Sequence, residues 1–163
     1  MYLKDKKKLK ILLICLVILV VIISIVLVVY NTNKNNVKNV DMASLDIEMV
    51  TEGNFNNNRM LDITKQEASE IFGINPDYIE EVIGKTPLLN ISSSMYIVVK
   101  AKKDNVQDVK KCLEVYVVKY EQEWASYLED QYELVKNREL GNKGDYVYLI
   151  ICDEPDKLVK LIK

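Results

Sequence analysis

There is no histidine anywhere in the 163 residues. That absence removes Ser-His and Cys-His nucleophilic pairs and every His-ligated metal site. Cysteine is scarce too, at three residues, and no CxxC spacing of the zinc type occurs. Cys15 lies inside an apolar run. Cys112 and Cys152 read as a helix residue and a strand end, two buried small hydrophobes without the spacing of a disulfide framework, with an extracytoplasmic bridge between them as the alternative. The glycine motifs of phosphate and acyl chemistry are also missing. Lys85 follows a glycine in GKTP but lacks the full GxxxxGK[ST] spacing, and SSSM at 92–95 is neither a GxSxG elbow nor an SxxK pair.

A basic excess is lacking as well. The first ten residues hold five of the 22 Lys and Arg and one of the 24 Asp and Glu, leaving 17 against 23 beyond them. Nucleic acid is therefore not an expected partner, because binding it needs a basic footprint that displaces counterions. Anionic lipid headgroups repel such a domain on average.

What the chain does have is a long apolar run. MYLKDKKKLK, residues 1–10, is basic, and ILLICLVILVVIISIVLVVY, residues 11–30, carries no charge. As a helix, 20 residues span about 30 Å, the thickness of a bilayer's hydrocarbon core. Its Leu, Ile and Val side chains favour insertion by roughly 5–10 kcal/mol. A cleaved signal peptide would have a shorter apolar stretch and small residues at its end, but this run exits into YNTNKNN. A lipoprotein signal would need small residues before its cysteine, whereas Leu13 and Ile14 precede Cys15. The expectation is one uncleaved transmembrane helix at 11–30, a cytoplasmic tail at 1–10, and everything after Tyr30 outside the cell membrane. Residues 31–40, rich in Asn and Lys, read as a linker whose r.m.s. span is roughly 17 Å. The bilayer is thus the first expected partner, through residues 11–30.

Residues 41–163 are long enough for one core. DMASLDIEMVTEG reads as a helix capped by Asp41 and closed by Gly53, with Met42, Leu45 and Met49 on one face. Thr64 and Glu67 match a capping box for a second helix ending at Gly73. Asn75, Pro76 and Gly84 suggest a third helix over 75–84. SMYIVVKAK, 94–102, reads as a strand. Asp104 then caps a helix predicted over 105–127, and ELVKNREL (133–140) and DYVYLIIC (145–152) read as strands around a GNKG turn. DEPDKLVKLIK closes as a short helix. The order from residue 94 predicts an α+β domain: a small mixed β-sheet, strand-helix-strand-strand-helix, with helices packed on it.

One stretch draws attention as a site. Tyr116, Tyr120, Trp124, Tyr127 and Tyr132 form an aromatic ladder, and most of it shares a stripe with Val106, Val109 and Leu113, the face a helix turns towards its sheet. Burial is the leading reading. A carbohydrate platform and a protein contact surface are the alternatives. Tyr127 and Tyr132 fall where the helix should be ending and are expected to be the most exposed, so Trp124, Tyr127 and Tyr132 are the candidate contact residues. No catalytic, metal or cofactor residue is expected. Asp153, Glu154 and Asp156 read as carboxylates favouring a helix N-terminus rather than a calcium loop, and the adjacent pairs Glu80/Glu81 and Glu129/Asp130 do not define a glycosidase pair.

MYIVVKAKKDNVQDVKKCLEVYVVKYEQEWASYLEDQYELVKN, 95–137, followed by GDYVYLIICDEPDK, 144–157, resembles the family known as domain of unknown function 4358, short envelope proteins found mainly in Firmicutes. The resemblance covers roughly residues 41–160. It implies a signal-bearing or membrane-anchored protein and brings no activity, cofactor or catalytic residue. The expected function is a non-catalytic binding or interaction module of a bacterial cell envelope, with an envelope protein or wall glycan as partner. A carboxylate-dependent wall hydrolase and an accessory subunit of a transport or secretion complex are the alternatives.

Overall fold

A computed structural model describes residues 16, 18–24, 39–55 and 59–163. The chain divides into two units, Met1–Asn36 and Val37–Lys163. In the first, Leu16 and residues 18–24 are helical, with exposed side chains. No helix among the described residues is long and apolar enough to cross a membrane. The predicted span at 11–30, the basic tail at 1–10 and the linker at 31–40 fall largely outside the described residues.

The second unit is an α+β domain built on a five-stranded sheet. Its strands are β1 (Met60–Asp62), β2 (Ile79–Pro87), β3 (Met95–Ala101), β4 (Glu139–Lys143) and β5 (Tyr146–Ile151), in the order β1-β2-β3-β5-β4. Every neighbouring pair is antiparallel. The sheet is therefore not mixed. A helix between two strands suggests a parallel crossover. β3 and β4, on either side of the helix in sequence, do run parallel, but β5 lies between them and pairs antiparallel with both.

The helices are α1 (Met42–Glu52), α2 (Lys65–Phe72), α3 (Val106–Trp124), α4 (Glu129–Lys136) and α5 (Pro155–Val159). Alternation along the strands decides which layer each one joins. Met95, Ile97, Val99 and Ala101 of β3, with Val147, Leu149 and Ile151 of β5, point to one face. There Ala68 and Phe72 of α2, the apolar stripe of α3 and Val135 of α4 cover them. Tyr96 and Val98, with Tyr146, Tyr148 and Ile150, point to the other face. They meet Met42, Leu45 and Met49 of α1 and Leu158 and Ile162 at the C-terminus. The central strands are buried on both sides, which explains their near-continuous apolar sequence.

The helix starts that the sequence marks are present. The Asp41 carboxylate accepts from the Ala43 N–H, and Thr64 and Glu67 exchange the reciprocal bonds of a capping box. Gly73 closes α2.

Residues 75–84 are corrected. Asn75 and Pro76 do start a helix, but it lasts one turn, Pro76–Tyr78, and the chain then extends as β2, the longest strand. Gly84 is no terminator. It lies within β2, paired with Ile97 of β3, and a Cβ there would lie 2.5 Å from the Tyr96 carbonyl oxygen and 2.8 Å from Ile63. Residues 133–140 are also corrected: 129–136 form α4 and only Glu139–Lys143 are strand. The hairpin turn lies two residues later than GNKG suggests, at Gly144 and Asp145. Lys143 pairs with Tyr146, and Gly144, at φ 54°, makes the bend. The long helix starts at Val106, after a turn at Lys103–Asn105 that contains Asp104, so Asp104 does not cap it.

Candidate functional site: an aromatic cleft beside the start of the central strand

α3 runs antiparallel to β3, so its last turns lie over the strand's first residues. The Tyr116 hydroxyl reaches the Met95 sulfur at 3.7 Å, and the Tyr120 hydroxyl donates to the Ser93 carbonyl at 3.3 Å. Five rings follow one another along this line. Phe72 to Tyr116 is 4.5 Å between centroids, Tyr116 to Tyr120 5.3 Å, Tyr120 to Trp124 6.0 Å and Trp124 to Tyr127 5.6 Å. These are the separations at which aromatic pairs attract beyond their buried area, by about 0.5–1.5 kcal/mol each.

Exposure changes sharply along the row. Tyr116 and Tyr120 are partly buried against the core, Trp124 is 5 % exposed, and Tyr127 is 61 % exposed. The helix ends at Trp124, so Tyr127 sits in the turn beyond it and is not held to the sheet-facing stripe. The ladder is thus a core feature over most of its length, with one exposed end. Burial pushes the Tyr116 phenol well above its usual range, and pushes Tyr120 up to about 12, with the Glu123 carboxylate adding to both. At neutral pH these phenols are uncharged packing groups rather than acids or bases.

An open cleft of about 520 Å³ lies at that end, lined by Asn90, Tyr120, Glu123, Trp124, Ser126 and Tyr127. Its far wall is the loop between β2 and β3. Ser93 fixes that loop: its N–H donates to the Gln131 side-chain oxygen at 2.8 Å and its hydroxyl to the Gln131 carbonyl at 2.9 Å. Gln131 lies in the first turn of α4, so the loop, the end of α3 and the start of α4 are tied together. Leu88, Leu89 and Ile91 in the loop are 51 %, 50 % and 53 % exposed, and Leu128 is 37 % exposed. Leu89 and Ile91 flank the lining residue Asn90 in sequence, and Leu128 follows the lining residue Tyr127.

Of the three residues that sequence reasoning singles out, the fold brings two together. Trp124 and Tyr127 line the cleft. Tyr132 is on α4, partly buried against the core, with the Lys136 ammonium 5.0 Å from its ring centre. It borders a separate depression with Val118, Glu121, Gln122 and Ala125. Leu88, Leu89, Asn90 and Ile91 were not foreseen. In the sequence they are a short mixed stretch before a serine run, and only the fold brings one of them, Asn90, into the cleft's lining.

Other chemistry is sparse. Cys112 and Cys152 are free thiols packed on opposite faces of the sheet, and burial raises both. No cluster of three or more His, Cys, Asp or Glu able to hold a metal occurs among the described residues. Glu123 is the carboxylate in the cleft's lining.

A family model described as a domain of unknown function, DUF4358, matches residues 53–152. The chain belongs to this family. The match runs from the end of α1 to the end of β5, so it contains the whole sheet, α2 to α4 and every cleft residue. It leaves out α1 and α5, the helices of the other face. No curated protein matches the chain, and no solved structure does.

Proposed function

We propose that the chain is a membrane-anchored, non-catalytic interaction module of a bacterial cell envelope. In this reading residues 11–30 hold it in the cell membrane, and the domain beyond residue 40 stands outside and makes contact through the aromatic cleft. One observation carries the binding role: Tyr127 stands 61 % exposed in the lining of a cleft whose other rings, Tyr120 and Trp124, are packed into the core, and the exposed Leu89 and Ile91 flank the lining residue Asn90 in sequence. Preorganised rings beside exposed apolar side chains are the composition of an interface centre, where a few well-supported residues carry most of the binding energy. The anchor is supported by the uncharged run at 11–30 and the basic residues before it.

A wall hydrolase acting through carboxylates is less well supported. The cleft's lining offers Glu123 where that chemistry needs two carboxyl groups facing one bond.

The reading is tested by placing a photo-crosslinking amino acid at position 127 in the full-length chain in intact cells, with position 160 as control. Lys160 has a side chain 75 % exposed, on the C-terminal segment that packs against the other face. Discrete adducts from position 127 and none from 160 are expected. The same smear from both positions, or none from either, would contradict it.

A further inference from the structure

We propose that the outer edge of β4 pairs with the same edge of a second copy of this chain, antiparallel and two-fold about Gly141. This surface is separate from the aromatic cleft, and the pairing stands whether or not the cleft binds.

The two edges of the sheet differ. On one, β1 has three residues and pairs only with Lys85, Thr86 and Pro87. The rest of β2 on that side carries the exposed Glu80 and Glu81 and a register shift between Ile79 and Glu81. A short strand, like charges and a broken register are means by which a sheet keeps an edge from pairing. β4 forms the other edge. It runs five residues, Glu139–Lys143, each of them part-exposed, without proline and in one register against β5. Its two charges sit at its two ends and have opposite signs.

The hydrogen-bond alternation defines what that edge offers. The Ala101 N–H donates to the Asp145 carbonyl at 2.9 Å, so Val147, Leu149 and Ile151 bond to β3, while Tyr146, Tyr148 and Ile150 bond to β4. Their partners are Lys143, Gly141 and Glu139. The N–H and C=O groups of Leu140 and Asn142 therefore point away from β5.

This edge, ELGNK, complements itself when a second copy runs antiparallel with Gly141 facing Gly141. Leu140 of each copy then stands opposite Asn142 of the other, and their outward groups exchange backbone hydrogen bonds. Glu139 stands opposite Lys143 in a non-hydrogen-bonded pair, where side chains come closest, with about 4.5 Å between Cα atoms. Symmetry makes every contact twice. Both charges lack a counter-ion: neither Glu139 nor Lys143 forms an ion pair among the described residues. The Lys143 ammonium donates to the Val159 and Ile162 carbonyls at 2.7 and 2.8 Å, which leaves one N–H over. Burial disfavours its charged form, and Glu139 of a second copy supplies the missing anion.

One pair of short strands is a small interface of the transient class, so the test traps it covalently. Full-length chains carrying Cys15→Ala, Cys112→Ala and Cys152→Ala are purified in detergent, one with Leu140→Cys and one with Asn142→Cys, and oxidised alone or mixed. Opposite residues of a hydrogen-bonded pair lie about 5.5 Å apart at Cα, within reach of a disulfide, whereas 140 to 140 and 142 to 142 are diagonals of about 7–8 Å. The mixture should form disulfide dimers about tenfold faster than either chain alone. Glu139→Lys in both chains should slow that reaction about tenfold, since like charges then face each other. In analytical ultracentrifugation the wild-type chain should pass from monomer to dimer as its concentration rises. Asn142→Pro deletes an N–H that β5 does not use, and should move that midpoint about tenfold higher with an unchanged melting curve. Should the proline lower the melting curve, the disulfide rates decide. Equal rates in all three samples, no disulfide in the mixture, indifference to Glu139→Lys, or a dimer that a folded Asn142→Pro chain retains would each overturn the proposal.

Discussion

Trp124 and Tyr127 are three positions apart and have different jobs. Trp124 is enclosed, with Tyr120 and Tyr127 rings at 6.0 and 5.6 Å. Trp124→Ala opens a cavity in the core and should cost about 3–5 kcal/mol, read from urea unfolding by circular dichroism. As the one tryptophan in the chain, it should also give blue-shifted emission that shifts to the red on unfolding. Tyr127→Ala, at an exposed turn, should cost no more than about 1 kcal/mol, the worth of its ring contact with Trp124, while removing the ring a partner would use. The phenols add a pH dependence. Tyr120 titrates near 10 when unfolded and near 12 when folded, because burial disfavours its charged form. The stability it contributes is therefore complete below pH 10 and is lost as pH rises towards 12. Tyr116 and Tyr96 are raised in the same direction by burial, so the domain should lose stability steeply in that window. Tyr120→Phe should make the slope shallower, measured by urea midpoints between pH 9 and about 12.

At the scale of elements, legibility followed whether the signal was local. The capping box at Thr64 and Glu67 is complete within four residues and could be read directly. Thr64→Ala should cost about 1 kcal/mol and should be visible as a lower urea midpoint. The buried strands announced themselves through runs of β-branched residues, and the stripe of α3 through its three-and-four spacing. β2 was hidden because Asn75, Pro76 and Gly84 carry helix punctuation, while Ile79, Val82 and Ile83 suit a helix face as well as a strand. Its extended form is decided by ladder bonds to β3, more than ten residues away in sequence. Gly84→Ala tests that account: a Cβ pressed against the Tyr96 carbonyl should destabilise the domain by about 1–3 kcal/mol, whereas in a helix the same change would stabilise it. α4 was missed for a related reason. It has no side-chain cap at Leu128, and the acidic residues Glu129 and Asp130 and the basic Lys136 mark its ends only through the dipole. The cleft was half legible, since the rings can be counted in sequence but the loop that completes it cannot.

At the scale of the whole molecule, the sheet gives the domain two distinct ends. One receives the chain at Asn39, held by Lys100 and Tyr146, and the other carries the cleft. In the proposed reading an anchor before residue 31 places this domain outside the cell membrane. The account then turns on topology, and one measurement addresses it. In a Cys112→Ala background, cysteines introduced by Tyr127→Cys or Lys6→Cys are exposed to a membrane-impermeant maleimide on intact cells and again after lysis. Labelling at position 127 in intact cells, and at position 6 only after lysis, is predicted. A chain labelled at position 6 in intact cells, or at position 127 only after lysis, would contradict the account.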